Sequence, residues 1–440
     1  MINNRYLYTI TVIAAFSGFT SNYSSSAMTG ALPFIQKYFE LGNFLLGIVT
    51  SSLAVGAIAG AALTGTLPDK IGRKPTLRLA ALIYLFSTLL VGFSITPYDL
   101  IFYRIMMGVA VGMTSIVAPM YLAEIAPSEK RGVMVTSYQM AIVIGIMMSY
   151  LIDYFLTGVP LNWRIMLGMA ALPSAILLLI LAFLPESPRW LILNRNEEKA
   201  MDTLRKIGGK NYAIDILKSV NTTVIQKTKP SFRDLFQRRY LKVLVIGAVL
   251  TIIQQWCGTN LIFSYSPLIF QAAGFDTSHA VLQTVLIGFC NFLATIISIR
   301  LVRTMNRKTI LIIGLASIFI TLILIGLYFQ LHLTSSWILI LSALLCVSAF
   351  AMTLGPVMWI VIAEISPSQI RSQAMSLFIF CLWTAGMLGT FSFPLLRSAL
   401  GTPVIFYSYA VICMLSIFFI SEFVPETKDK SLEEIEKLFE

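Results

Sequence analysis

Five carboxamide side chains lie inside stretches that are otherwise hydrocarbon: Gln139, Gln254, Gln255, Asn260 and Asn291. A carboxamide offers two donors and an acceptor and carries no charge. That suits a neutral solute bearing several hydroxyls, and it binds without the grip of an ion pair. The competing reading is structural, since amides between membrane helices hydrogen-bond across their interface. For Gln254 and Gln255 with Asn260 the binding reading is preferred, because polar residues inside apolar segments are usually functional. It carries a geometric condition. On an unbroken helix Asn260 lies about 120–140° around the axis from the two glutamines. The three converge only if the helix breaks, and Gly258 offers the place. Trp359, just after Gly355-Pro356, and Trp383 add indole faces for the C–H side of a ring and an N–H donor each. Ordinary packing or an interfacial belt is the alternative for both.

Other chemistry has no constellation to stand on. His279 and His332 fall in loops far apart, and Cys257, Cys290, Cys346, Cys381 and Cys413 sit in apolar stretches without metal-ligand spacing. No zinc motif, Ser-His-Asp order or phosphate-cradling glycine loop occurs. No enzyme, cofactor or metal is expected. Charges gather instead at the ends of the apolar stretches: Asp69 with Arg73, Glu124 with Arg131, Glu186 with Arg189 and Glu364 with Arg371. A single surface ion pair contributes about 0–1 kcal/mol. A network of them between helix ends can bias a conformational equilibrium, which a few kcal/mol suffices to invert.

The elements that must position these residues are membrane helices. The chain of 440 residues is 57% hydrophobic and 12% charged, with a mean hydropathy of +0.81, against about 25% charged in a soluble domain. Crossing a bilayer takes roughly 20 residues of helix. Twelve blocks meet that need, at 7–36, 44–67, 76–95, 98–122, 132–157, 162–185, 241–272, 280–302, 308–331, 336–362, 372–396 and 402–424. The first is read as a retained helix, since no small-residue cleavage site follows a short apolar core. Lys70, Arg73, Lys74 and Arg78 follow the second block, Lys130 and Arg131 the fourth, and Arg300, Arg303, Arg307 and Lys308 the eighth. The opposite loops hold little beyond Lys37, Arg164 and Arg397. This positive-inside pattern puts both termini in the cytoplasm. The net charge of +11 therefore lines one side of a lipid bilayer and does not form a nucleic-acid face. The short tails and the lack of a glycosylation site in an outer loop fit a bacterial inner membrane.

The chain also repeats itself. Ala123-Glu124-Ile125-Ala126-Pro127-Ser128 recurs as Ala363-Glu364-Ile365-Ser366-Pro367-Ser368, and Pro185-Glu186-Ser187 as Pro425-Glu426-Thr427. Both copies stand 240 residues on, 124 to 364 and 185 to 425. The expected fold is thus all-α, with two parallel six-helix bundles meeting at a midplane site. Residues 1–185 form the first bundle, 186–240 a polar linker, 241–424 the second bundle and 425–440 a tail. Within the linker, 197–207 is amphipathic, and Ser231 with Asp234 has capping-box spacing for a second short helix.

These motifs resemble the sugar porter branch of the major facilitator superfamily over nearly the whole chain. The matching segments are Gly65–Lys74 (GTLPDKIGRK), Arg104–Gly112, Pro119–Gly132 (PMYLAEIAPSEKRG), Pro185–Leu191 (PESPRWL), Gln254–Asn260 (QQWCGTN), Gly355–Glu364 (GPVMWIVIAE) and Pro425–Ile435 (PETKDKSLEEI). The resemblance implies alternating access to a monosaccharide or similar polyol, with the five amides at sugar-contacting positions and Trp359 in a family motif. It makes the charged helix ends the latches of the outward-facing state. The second copy of the Asp-Gly-Arg loop is degraded, with Arg303 at the acidic position and Asn306 at the glycine, so a lopsided latch is expected.

Ser24 stands where proton-coupled members carry an acid, while Arg104, which matches that acid's basic partner, remains. Ala351, Leu382 and Gly386 also depart from frequent family residues. Asp153, near the outer end of the fifth block, is read as a solvated helix-end residue. On that reading uniport is favoured over proton symport, with protons the open second partner and a monomer expected. A carrier of a cyclic polyol or organic acid is the alternative, and a transport-dead sensor the remoter one.

Overall fold

Inside a bilayer the backbone must satisfy its own polar groups, which leaves helices or closed barrels. A computed structural model describes residues 3–127, 130–225, 235, 237–367, 369–428, 430 and 434–435, and every regular element among them is a helix. The first half contains α1 (Asn4–Tyr38), α2 (Asn43–Leu63), α3 (Leu67–Ile71), α4 (Arg73–Gly92), α5 (Pro97–Ile125), α6 (Arg131–Leu156), α7 (Asn162–Gly168) and α8 (Ala171–Ile180). Next come α9 (Pro188–Leu193) and α10 (Glu197–Ile225). The second half contains α11 (Leu241–Trp256), α12 (Thr259–Ala272), α13 (Thr277–Thr304), α14 (Arg307–Gln330), α15 (Ser336–Met352), α16 (Leu354–Ile365), α17 (Arg371–Leu400) and α18 (Thr402–Phe423).

Eleven spans among the described residues are long and apolar enough to cross a membrane, counting α7–α8, α11–α12 and α15–α16 as broken spans. The twelfth is α1. Its 35 residues include the polar run Ser21-Asn22-Tyr23-Ser24-Ser25-Ser26, and its buried face includes Ser21 and Ser24. Local chemistry sets the helix starts. Thr96 and Asp99 form a reciprocal capping box ahead of α5, with Pro97 in the first turn. Asp276 accepts from the backbone N–H groups of Ser278 and His279 to open α13. The linker's amphipathic stretch opens α10, and the helix expected at Ser231 and Asp234 lies outside the described residues.

Packing within the first half depends on glycine. α2 and α5 approach so closely that a Cβ at Gly56 or Gly60 would lie 1.9 or 2.1 Å from the carbonyl oxygens of Ile105 and Val109. From the other side, Gly108 and Gly112 meet the carbonyls of Leu53 and Ala57 at 2.0 and 2.2 Å by the same measure. Small residues spaced by four are how membrane helices bring their backbones together. The halves then meet along two equivalent seams, α2 against α17 and α6 against α13, with α1 packed on α12 between them.

Candidate functional site

Three of the five predicted amides, Gln254, Gln255 and Asn260, flank a broken helix. α11 ends at Trp256, and Gly258 turns the chain with φ +85° before α12 restarts at Thr259. Only glycine adopts that conformation without strain. The turn brings Asn260 back toward the preceding glutamines, and its Nδ2 donates to Oε1 of Gln255 at 3.0 Å. Gln254 is buried, and its Nε2 points to the carbonyls of Leu354 and Gly355 at 3.4 Å each. Those carbonyls lie at a second break, where Thr353 leaves helical geometry (φ −125°, ψ −86°). Trp256 donates from Nε1 to the Ala385 carbonyl on α17 at 2.8 Å. Beside it, a Cβ at Gly386 would sit 3.0 Å from Oε1 of Gln255. The Gly258 break and the glycine face of α17 thus bring Gln255 and Asn260 together, while Gln254 faces the second break on α16.

The remaining predicted contacts do not bond directly to this cluster. Asn291 on α13 is buried, and Gln139 on α6 is half-buried. They lie on the two helices that form one seam between the halves. Trp359 and Trp383 are half-buried on α16 and α17, packed against a core to which both halves contribute. Two cavities lie elsewhere. One of about 260 Å³ is lined by Gln36, Asn43, Tyr265, Phe393 and Arg397. Another of about 240 Å³ lies among Phe16, Tyr23, Met148 and Leu172.

At the charged end the ion pairs differ from those read off neighbouring positions. Glu124 does not pair with Arg131, which is exposed. It takes a two-pronged bond from Arg73, at 3.0 Å from Nε and 2.9 Å from Nη2, and accepts from the Ser187 hydroxyl. Arg73 also meets Asp69 at 3.2 Å and donates to the Pro68 carbonyl. Glu186 does not pair with Arg189, which is likewise exposed. It caps α4, accepting from the backbone N–H groups of Arg73, Lys74 and Ser187. Burial pushes its carboxyl above the ordinary value, and those three N–H bonds and Arg73 oppose the shift. Gly72 makes the cap possible, since its φ is +103° and a Cβ there would lie 2.3 Å from Oε2 of Glu186.

In the second half Glu364 faces Arg307 at 3.8 Å and not Arg371, which donates to the Ser366 carbonyl. Glu426 repeats the cap on α14, accepting from the N–H groups of Arg307, Lys308, Thr427 and Lys428. With Arg303 in the acidic position the second arginine has a single distant carboxylate, and its Nε and Oε2 of Glu364 go without partners. A reading of adjacent positions misses these partners because they come from helices far away in sequence.

At the opposite end the two halves are stitched together by backbone acceptors. Thr29 and Tyr150 of the first half both donate to the Phe263 carbonyl, at 3.1 and 3.0 Å. Thr50 meets the Tyr265 hydroxyl at 2.5 Å, which in turn donates to the Thr390 carbonyl at 2.6 Å. Ser24 is buried, and its hydroxyl donates to the Thr20 carbonyl of its own helix. Arg104 is buried too. Its guanidinium donates to the Val49 and Thr50 carbonyls and the Ser52 hydroxyl, while Nη1 has no partner. Asp153 is not solvated. Its exposure is 0%, and neither carboxyl oxygen has a hydrogen-bond partner among the described residues. It fits against Gly30 of α1, where a Cβ would come within 2.5 Å of its carboxyl. Only contacts in three dimensions expose this, because a position three residues from a helix end looks like a solvated one.

Comparison with known proteins agrees with this architecture. A family model described as "Sugar (and other) transporter" matches residues 6–439. The glucose transporter of Staphylococcus epidermidis is 36% identical over 442 residues, covering 98% of this chain and 97% of that protein. The D-xylose-proton symporter of Escherichia coli K12 is 32% identical over 477 residues, covering 100% and 96%. The inward-open structure of the Escherichia coli xylose transporter superposes with a TM-score of 0.89 at 30% identity, covering 99% of this chain and 100% of that one. Two six-helix halves with this full-length match make the chain a member of the sugar transporter family, the sugar porters of the major facilitator superfamily.

Proposed function

We propose that the chain carries a monosaccharide across a bacterial inner membrane by alternating access, acting as a monomer with both termini in the cytoplasm. The basic loops support that orientation. In this frame the charged end is the inner one, and the bonds from Thr29 and Tyr150 to Phe263 hold the outer end closed. The observation that carries the substrate reading is the amide pair of Gln255 and Asn260, joined at 3.0 Å across the Gly258 break. One amide proton and one lone pair satisfy that bond, which leaves donors and acceptors on both groups for sugar hydroxyls. Gln139, Asn291, Trp359 and Trp383 complete the proposed lining. The relatives named for glucose and xylose transport agree with this substrate class. The organic-acid alternative needs a cation open to the solute, and Arg104 is buried, with Nε and Nη2 engaged by carbonyls and a hydroxyl of α2 and only Nη1 left over.

The test is uptake of a panel of labelled hexoses, pentoses, inositol and small organic acids in a host lacking its own carriers. Saturable uptake of at least one monosaccharide, unaffected by the acids, is expected. Uptake of an acid with none of any sugar would contradict the proposal.

A further inference from the structure

We propose that Asp153 is the proton-binding site of this carrier, and that the outer end closes only when this residue carries a proton. The inference rests on the transport reading above and adds the coupling group. The sequence favours uniport on two grounds, Ser24 at the acidic position and a solvated Asp153, and the burial of Asp153 removes the second. The carboxyl is sealed between α1 and α6, in a space that exists because α1 has a glycine at Gly30.

Its surroundings hold no counter-charge among the described residues. Tyr23 from α1 and Tyr150 from its own helix are the titratable groups that bear on it. Arg104 of α5 is turned to α2. Arg164 of α7 donates to the carbonyls of Gly92 and Ser94. From α13 it is Gly288 that packs against this stretch, at Tyr150. An ionised carboxylate cannot be held in such a place without a partner, so the group is neutral there. Buried acids in membrane helices are the usual proton relays.

The same few residues close the outer end. Tyr150 lies one turn before Asp153 on the same helix face, and Thr29 is the neighbour of Gly30. Both donate to the Phe263 carbonyl of the other half. When those bonds part, water reaches the carboxyl and it ionises. For the bonds to re-form, a proton from outer water must first bind a carboxyl oxygen. That proton moves inward with the sugar, and its release to inner water requires the seal between α1 and α6 to admit water while the outer bonds hold. Ser24 has no group that could take this role.

The experiment compares wild type with D153N, each purified and sealed into vesicles, with D-xylose and D-glucose as probes. An inward sugar gradient should draw protons in with wild type. D153N, uncharged at every pH, should still exchange labelled sugar while proton movement falls to the level of empty vesicles. Proton movement that persists in D153N would overturn the proposal, as would net gradient-driven sugar uptake by wild type without protons. D153S replaces D153N should the amide not fold. If wild type exchanges neither sugar, the substrate reading has failed. The proposal then stands or falls on the infrared spectrum of the closed carrier. A protonated-carboxyl band at neutral pH that the uncharged variant lacks supports it, and identical spectra overturn it.

Discussion

Glu186 accepts from two backbone N–H groups at the start of α4, those of Arg73 and Lys74, and from the N–H of Ser187, while partly withdrawn from water. Burial raises its pKa above the ordinary 4.5, against the pull of those bonds. The folded state therefore keeps the proton to higher pH than the unfolded chain does. The stability this contributes is full below the unfolded value and is lost as pH rises through the folded one. Melting of wild type and E186Q from about pH 4 to about pH 7 checks this, since glutamine does not titrate. Wild type should lose ground to E186Q as pH rises; a gain would contradict the burial account. At this scale the site was legible in part. Gln254, Gln255 and Asn260 stood out because amides are rare among hydrocarbon residues, and the need for a break at Gly258 followed from helical angles. The partners of Glu124 and Glu364 and the burial of Asp153 did not stand out, because each depends on which distant helix packs alongside.

The helices themselves were readable from hydropathy: each of the twelve expected blocks is helical, and eleven are long and apolar enough to cross a membrane among the described residues. Less readable was what sets their spacing. Gly56 and Gly60 on α2 interlock with Gly108 and Gly112 on α5, and a side chain at any of these would strike a backbone carbonyl. Overpacking costs about 1–3 kcal/mol where neighbours can yield, and a carbonyl in a packed helix yields little. G108L should therefore lower the yield of folded protein and its melting temperature, measured by fluorescence-detected size exclusion. A control substitution at Phe102, which is exposed, should do neither. Normal folding of G108L would mean that the helices are free to move apart. The same contact sets the height of Arg104, which lies one turn from Gly108 and reaches the Val49 carbonyl at 3.0 Å.

Across the whole molecule, the repeat at 240 residues gives two halves with matching carboxylate caps, yet unequal latches. Arg73 is held by two carboxylates within 3.2 Å, while Arg307 meets one at 3.8 Å. If these contacts bias the balance between inward- and outward-facing states, R73A should shift accessibility labelling and transport rate more than R307A. Sugar affinity should change little in either, since both residues lie far along the helices from the amide cluster. Equal effects would mean that the latch is symmetric despite its geometry. The central claim is that a monosaccharide binds at Gln254, Gln255 and Asn260. Each lost amide bond is worth about 0.5–1.5 kcal/mol net, and more where a partner is left unpaired. A carrier binding near a millimolar dissociation constant has only about 4.1 kcal/mol in all. The most direct measurement is equilibrium binding of the transported sugar to purified wild type, Q255A and N260A, with melting followed to confirm folding. Binding weakened beyond detection in both folded variants is the predicted result, and unchanged affinity in both would contradict the claim.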